Sequence, residues 1–340
     1  HIVADENKGI AYVSYLASRI THSESRDIVA LSVFSLVNPE NVLHYVVAET
    51  GTKIGETSIV SPFEPNILML EDRVRVYFTN NNVTYYYRDF IKATREFENV
   101  VHPMLIMESD TSEPKPLNKE NIGLFLESKG FERDTSGWSP IFTTRLVEHN
   151  NLYFGAITSQ TQHPIIVSSA DNGITWLLRG VMPNESWYEC QLDILNDKMY
   201  ILIRQSSPNY FVSNDLGYTF SVGETLEHSS SRPQLIKYKG QIMILHGLVG
   251  DNANIIDLNG RHNIYFKMGD GNNVADFKTK LYLRSKFGLV YPAVLNYKNC
   301  IYIAFSNGVL DHDLNQEGKK TVFFVRIGEF YTDRDFEIEV

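Results

Sequence analysis

The stretches SSADNGITW, at residues 168–176, and SNDLGYTF, at residues 213–220, follow one pattern. Both read Ser-x-Asp-x-Gly-x-Thr-aromatic. The glycine permits a left-handed backbone, and the Ser and Asp side chains can bond the backbone of their own turn. The aromatic residue can pack between sheets. The pattern therefore predicts two tight turns in β-hairpins, formed by Ser169, Asp171, Gly173, Thr175 and Trp176, and by Ser213, Asp215, Gly217, Thr219 and Phe220.

Around these turns, a hairpin pattern recurs six times along the chain. Each copy has an apolar extended segment, a few polar turn residues and a second apolar segment, and most copies are followed by a further strand pattern. The copies cover residues 1–18, 64–79, 143–158, 190–204, 232–247 and 291–306. A four-strand unit repeated at this spacing is typical of a β-propeller. We therefore expect an all-β, six-bladed propeller in one domain over residues 1–340, with a two-layer sandwich as the competing architecture.

One segment, residues 91–142, is too long for a connection between blades. Within it, NKENIGLFLESKG at 118–130 predicts a short helix, which Asn118 can cap and Gly130 can end. We expect an inserted helical segment between the second and third blades. Long insertions are often functional, and a helix that only packs against the blades is the equal alternative.

Composition and charge exclude several classes of function. The formal net charge is −10, and no run of Lys or Arg forms the basic patch of a nucleic-acid-binding protein. No run of 18 apolar residues predicts a membrane span. The only cysteines, Cys190 and Cys300, predict buried free thiols and no zinc site. We expect neither a metal nor a cofactor, and the sequence contains no signal for an oligomeric state.

The two octapeptides resemble the Asp-box of the sialidase-like (BNR-repeat) β-propellers. The resemblance is good over residues 140–330 and poor before them. It implies that each box joins the third and fourth strands of a blade, on the side away from the ligand site. The opposite side then receives the starts of first strands, the ends of second strands and the starts of third strands. Those places carry His1, Glu64, Glu189, Arg204, Arg232, Arg261 and Tyr291, which predicts a site at the pore mouth.

Three segments resemble the sialidase site more closely. WYECQLDILNDKMYILIR resembles the segment with a glutamate and an arginine, matching Glu189 and Arg204. NGRHNIYFKMGDG resembles the segment with the next arginine, matching Arg261, and FGLVYPAVLNYKNCIYIAF the one with the nucleophilic tyrosine, matching Tyr291. The acid/base residue would come from the loop RITHSESRDIV, with Glu24 first and Asp27 second. One departure is that His1-Ile2-Val3 stands where sialidases carry an Arg-Ile-Pro segment.

The resemblance implies an exo-sialidase-like hydrolase that removes a terminal acidic sugar, such as a sialic or uronic acid. Arg204, Arg261 and Arg232 would bind the sugar, with Glu64 nearby; Tyr291 and Glu189 would form the nucleophile pair. Alternatively, the arginines and glutamates form structural ion pairs, and Tyr291 is an aromatic residue at the rim of the pore. A non-catalytic carbohydrate-binding propeller, such as a phage tail receptor-binding domain or a surface lectin, is the alternative function, and a protein-interaction propeller is a third. With a glycan as ligand, we expect an extracellular, cell-surface or virion-surface location.

Overall fold

The structure is a computed structural model, and it describes residues 1–17, 27–81, 83–132, 140–142, 144–159, 162–183, 189–204, 208–221, 223–226, 232–246, 263–284, 290–306, 322–328 and 336–339. These residues group into two compact units, 1–190 and 191–340. The prediction of a single domain over 1–340 stays a prediction.

The first unit contains three sheets, each with an antiparallel meander at its centre. The first sheet has the order β1 (Ile2–Asp5), β2 (Ile10–Ala17), β3 (Ile28–Ser35) and β4 (Leu43–Glu49), and it is followed by a small hairpin of β5 (Lys53–Ile54) and β6 (Thr57–Ser58). The second sheet contains β7 (Pro62–Met69), β8 (Arg73–Asn80), β9 (Thr84–Ile91), β10 (Glu96–Phe97) and β11 (His102–Pro103). The third contains β12 (Leu105–Met107), β13 (Lys115–Pro116), β14 (Val147–His149), β15 (Leu152–Ser159), β16 (Gln162–Ser169) and β17 (Thr175–Val181).

The second unit repeats the same organisation. Its fourth sheet contains β18 (Cys190–Leu195), β19 (Lys198–Ile203), β20 (Asn209–Ser213) and β21 (Glu224–Thr225). Its fifth contains β22 (Gln234–Tyr238), β23 (Gln241–His246), β24 (Asn263–Gly269) and β25 (Lys278–Arg284), with a 3₁₀ turn at Val274–Asp276. Its sixth contains β26 (Val290–Tyr297), β27 (Cys300–Ser306) and β28 (Val322–Gly328). A last strand, β29 (Phe336–Glu339), pairs in parallel with β25. All six predicted hairpins are therefore confirmed.

In most sheets, a two-residue turn joins the first strand to the second, and the residues of these turns favour the geometry that they adopt. Both central residues have positive φ at Asn150-Asn151, Asn196-Asp197, Lys239-Gly240 and Lys298-Asn299. This is the type I′ geometry that matches the twist of paired strands and favours Asn, Asp and Gly. The turns fix the register of each first and second strand, and so determine which residues reach the far end of the sheet.

The predicted helix is confirmed as α1 (Lys119–Ser128). The side chain of Asn118 accepts a 2.9 Å hydrogen bond from the backbone N–H of Asn121, and Gly130 has a φ of 84° just beyond the helix. Ile122, Phe125 and Leu126 are buried in the core between the second and third sheets. The inserted segment also contributes strands, because β12 pairs in parallel with the outer strand β17. It therefore serves as a packing element and covers an outer edge.

The cores lie between consecutive sheets. Side chains of the first and second sheets share one apolar cluster, and those of the second and third share another that contains Trp176 and α1. In the second unit, one cluster lies between the fourth and fifth sheets and one between the fifth and sixth. Successive strand residues point to opposite faces, so the second and the fifth sheets each contribute alternate residues to the two cores on either side of them.

Candidate functional site

The first octapeptide forms the turn between β16 and β17, which are the third and fourth strands of the meander β14 to β17. The hydroxyl of Ser169 donates to Asp171 over 2.8 Å and accepts from the N–H of Gly173 over 2.9 Å. Asp171 Oδ1 also accepts from the N–H groups of Ile174 and Thr175 at 3.2 and 2.9 Å. Gly173 has a φ of 78°, the left-handed backbone that the sequence predicted. The Ser and Asp side chains of the pattern are therefore used within the turn itself.

The second octapeptide, between β20 and β21, repeats this geometry. Ser213 donates to Asp215 over 2.8 Å and accepts from Gly217, while Thr219 donates to Asp215 from both its N–H and its hydroxyl. Burial alone would raise the pKa of Asp215, but the hydrogen bonds from the Thr219 hydroxyl and N–H outweigh it and lower the pKa to about 2. The carboxylate is thus part of the frame of the turn.

The aromatic residues of the two turns differ. Trp176 is completely buried and packs against Tyr77 and Phe142, as the pattern predicts. Phe220 is only half-buried, so its predicted packing between sheets is incomplete. The strand that follows Phe220, β21, has only two residues.

At the opposite end of the sheets, the candidate residues occupy one register position. Glu189, Arg232 and Tyr291 each lie six residues before the last residue of their first strand, which is Leu195, Tyr238 or Tyr297 (195 − 189, 238 − 232 and 297 − 291). The sheets share one hairpin geometry, so each residue lies at the start of its first strand, at the end away from the octapeptide turns. Glu189 is buried and Arg232 is half-buried.

Glu64 occupies the same position in the second sheet. It lies six residues before Leu70. The N–H of Leu70 donates to the carbonyl of Arg73, so these two residues close the turn between β7 and β8. Its φ is 46°, and the pairing with β8 shifts between Phe63 and Asn66. The pairing of β26 shifts in the same way between Val290 and Ala293, around Tyr291. Such bulges redirect side chains and are common beside functional sites.

Proline accounts for part of this irregularity. Three of the four positions are followed directly by proline, in Glu64-Pro65, Arg232-Pro233 and Tyr291-Pro292. Proline has no N–H to donate to the second strand, so it interrupts the ladder at this point of these three sheets. The sequence signal for this position was thus a charged residue or tyrosine before proline, at a fixed distance from the hairpin turn.

The ends of the second strands form a matching set. Arg204 lies six residues after Lys198, the first residue of β19, and it is half-buried. At the same count, β8 and β15 carry Thr79 and Thr158, both buried. Among the second, third and fourth sheets, only the fourth therefore carries an arginine at this position. Sequence reasoning identified Arg204 but missed the threonines, which only the register count reveals.

Two of the predicted site residues, Glu24 and Arg261, lie outside the described residues. Asp27, the second candidate acid, directly precedes β3 and is half-buried, so it lies at the start of a third strand as expected. Cys190 is buried, and burial raises the pKa of its thiol; Cys300 is only half-buried, which corrects the prediction that both thiols are buried.

The described part of the chain contains no group of three His, Cys, Asp or Glu side chains arranged to hold a metal ion. Within those same residues, no helix has both the length and the apolar character needed to cross a membrane.

Known structures with the same fold are sialidases. A mutant of Trypanosoma rangeli sialidase that displays trans-sialidase activity matches over 96% of this chain and 53% of its own, with 13% identity and a TM-score of 0.60. The Hadza microbial sialidase Hz136 matches over 88% and 61%, with 14% identity and a TM-score of 0.59. The K499G mutant of NanB sialidase from Streptococcus pneumoniae matches over 88% and 63%, with 14% identity and a TM-score of 0.52.

The chain thus spans a little over half the length of these sialidases. No protein-family model and no curated protein matches the sequence. At this level of identity the structural likeness defines the fold, and the site must be argued from its own residues. The chain has the all-β, six-bladed β-propeller fold of the sialidases.

Proposed function

We propose that this propeller binds a terminal acidic sugar of a glycan, such as a sialic or uronic acid, and hydrolyses its glycosidic bond. The observation that supports this most is the shared register position of Glu64, Glu189, Arg232 and Tyr291, at the end of each sheet away from the octapeptide turns. Charged and phenolic groups repeated at one strand position in four sheets support a common binding surface.

In this proposal, arginines hold the carboxylate of the sugar. Arg204 and Arg232 are both half-buried at strand ends, and Arg261 is their predicted partner. A guanidinium stays charged at all relevant pH values and offers a planar fork that matches a carboxylate. Glu64 would accept hydrogen bonds from sugar hydroxyls. The ligand class is therefore a sugar with a carboxylate.

Tyr291 is the proposed nucleophile. An anionic sugar repels a carboxylate nucleophile, whereas a neutral phenol avoids that repulsion, provided that a base takes its proton. Glu189, which is buried, is the proposed base. The phenol oxygen bonds to the anomeric carbon as the glycosidic bond breaks, and Glu24 or Asp27 protonates the leaving oxygen. Water then cleaves the tyrosyl intermediate, with retention of configuration.

A non-catalytic glycan-binding propeller is the second candidate. It is favoured by the first strand, because β1 carries Ile2-Val3 after His1 where the sialidase resemblance expects an arginine. A receptor or lectin would need only the arginines, at an extracellular, cell or virion surface.

Two measurements on the purified protein separate the candidates. The first follows release of free sugar from a fluorogenic sialoside and a fluorogenic glucuronide. The second measures binding of sialyllactose by calorimetry. Turnover supports the hydrolase, and binding without release of sugar supports the lectin. A protein that neither hydrolyses nor binds any acidic glycan would contradict both candidates.

A further inference from the structure

Asn66 joins the second sheet to the third. It lies opposite Tyr77 in the pairing of β7 with β8, and it is completely buried. Its amide nitrogen Nδ2 donates to the carbonyls of Phe142 and Thr144, at 2.8 Å each. Its amide oxygen Oδ1 accepts the N–H of Ile67 over 2.8 Å. Both amide hydrogens and the amide oxygen are therefore used, which fixes the side chain of Asn66 and the backbone beside it.

The segment of the third sheet that Asn66 holds is a bulge. Ile141 forms a bridge with Thr158, and Val147 pairs with Phe154. Between these two pairs the first strand advances six residues, whereas β15 advances four (147 − 141 and 158 − 154). Two extra residues thus interrupt the ladder at the end of the sheet away from the octapeptide turn.

Side chains take over the hydrogen bonds that the ladder loses at this bulge. The N–H of Phe142 donates to the hydroxyl of Tyr85 over 2.8 Å. The hydroxyl of Thr144 accepts the N–H of Ala156 and donates to its carbonyl, at 3.1 and 3.0 Å. With the two bonds from Asn66, the bulge is held by three dedicated side chains, as expected for a defined element of the fold.

The bulge of β7 places Glu64 in a strained conformation. From Phe63 to Asn66, β7 advances three residues where β8 advances two, so Glu64 and Pro65 share one place in the ladder. The φ of Glu64 is 46°, a left-handed backbone that is unfavourable for a residue with a Cβ. A residue before proline also favours an extended backbone. Such strain persists only where the surrounding structure holds it.

We infer that Asn66 is a positioning residue for Glu64. Only Pro65 separates the two, and its ring fixes φ, so few torsion angles link them. Because Asn66 is held by the third sheet and by Ile67, it keeps Glu64 in the left-handed conformation and determines where its carboxylate lies. The consequence for sugar binding rests on the proposed function, but the hold on the backbone of Glu64 does not.

The test compares glycine and alanine at position 64 in two backgrounds of the full chain. Glycine is favoured over alanine in a left-handed backbone, and alanine over glycine in an extended strand. With Asn66 present, we expect Glu64→Gly to unfold about 2 °C above Glu64→Ala in a thermal scan. In the Asn66→Ala background this difference in Tm should vanish or change sign. The same difference in both backgrounds would overturn the inference. If Asn66→Ala does not fold, Asn66→Ser, which keeps one donor, gives the same comparison.

Calorimetry with sialyllactose tests the consequence for binding. We expect Asn66→Ala to weaken binding about tenfold, with no further loss when it is added to Glu64→Gln. Losses that add in the double variant would contradict positioning through Glu64. A wild type that binds no acidic sugar refutes the proposed function, and the comparison of Tm values alone then decides the inference.

The matched control is Asp193→Ala. Asp193 is a buried residue of β18 that accepts the N–H of Ile194 and the N–H of Lys237, at 2.7 Å each. It joins the fourth sheet to the fifth as Asn66 joins the second to the third. In the Asp193→Ala background, Glu64→Gly should still unfold above Glu64→Ala by the same margin. Loss of that margin would show that it follows general destabilisation, and would overturn the inference.

Discussion

The hydroxyl of Tyr77, in the second sheet, donates a 2.8 Å hydrogen bond to the carbonyl of Gly173, in the octapeptide turn of the third sheet. Arg75, two residues earlier on β8, donates to the carbonyl of Asn172 in the same turn, also over 2.8 Å. Both donors are buried. The turn that identifies the fold is therefore fixed from outside as well as by its own Ser and Asp.

The first prediction concerns Gly173. Its φ is 78°, and a Cβ at this position would collide with the hydroxyl of Tyr77. Gly173→Ala should lower the free energy of unfolding by about 3 kcal/mol, from left-handed strain, crowding and loss of a buried hydrogen bond. Urea unfolding measures it.

Gly51→Ala is the control for backbone strain alone. Gly51 has a φ of 83° and nothing within 4 Å of an added Cβ, so it should lose only about 1 kcal/mol. Equal losses for the two variants would show that the contact with Tyr77 contributes nothing.

The second prediction concerns the ion pair that holds Arg75. Asp89 accepts from Arg75 at 2.9 and 2.8 Å, and both side chains are buried. Asp89→Asn would leave the guanidinium buried without a compensating charge, so we expect a loss of about 3 kcal/mol in the same unfolding assay. The pair of Lys53 and Glu56 is exposed, and Glu56→Gln should change stability by less than about 0.5 kcal/mol. A loss for Asp89→Asn as small as that control would contradict the account.

The third prediction concerns pH. The pKa of Asp215 is lowered from 3.8 to about 2, because hydrogen bonds from Thr219 outweigh the effect of burial. A carboxyl with a lower pKa in the folded protein stabilises the fold above its unfolded pKa, near 4, and loses this contribution as the pH falls through about 2. Asp215→Asn should therefore be less stable than the wild type at pH 7, and the difference should shrink between pH 4 and pH 2. A difference that is constant with pH would exclude this origin.

The fourth prediction concerns ligand binding. Arg204→Ala should weaken binding of sialyllactose by about 30-fold or more, as expected for the loss of a charge-assisted hydrogen bond worth about 2 kcal/mol or more. The control is Arg326→Ala, because Arg326 is exposed on β28 and donates to the sulfur of Cys300 over 3.5 Å. Calorimetry with sialyllactose measures the affinity of both variants. Equal affinities for Arg204→Ala and Arg326→Ala would show that Arg204 does not bind the sugar.

The fold could be predicted from local signals. Alternating apolar residues predicted the six hairpins, and Asn118 and Gly130 predicted the ends of the helix. The repeated Ser-x-Asp-x-Gly-x-Thr pattern predicted the two tight turns. Strands β12 and β29 could not be predicted, because they are short and pair in parallel with strands about 70 and 55 residues away along the chain. Such pairing depends on tertiary packing and leaves no period in the sequence.

The candidate site was predictable only in part. Strand order and the resemblance select Glu189, Arg204 and Tyr291 as candidates, since these lie near recognisable turns. The bulge that places Glu64 at a φ of 46° depends on the pairing with β8 and is not visible in the residues alone.

The central claim, that Tyr291 is a nucleophile, is tested most directly by turnover of a fluorogenic sialoside with Tyr291→Phe. Tyr297→Phe is the matched control, since Tyr297 lies at the other end of the same strand. The account predicts that Tyr291→Phe lowers kcat at least about a hundredfold, while Tyr297→Phe stays within about threefold of the wild type once both variants are shown to be folded. Turnover by Tyr291→Phe at the wild-type rate would contradict it.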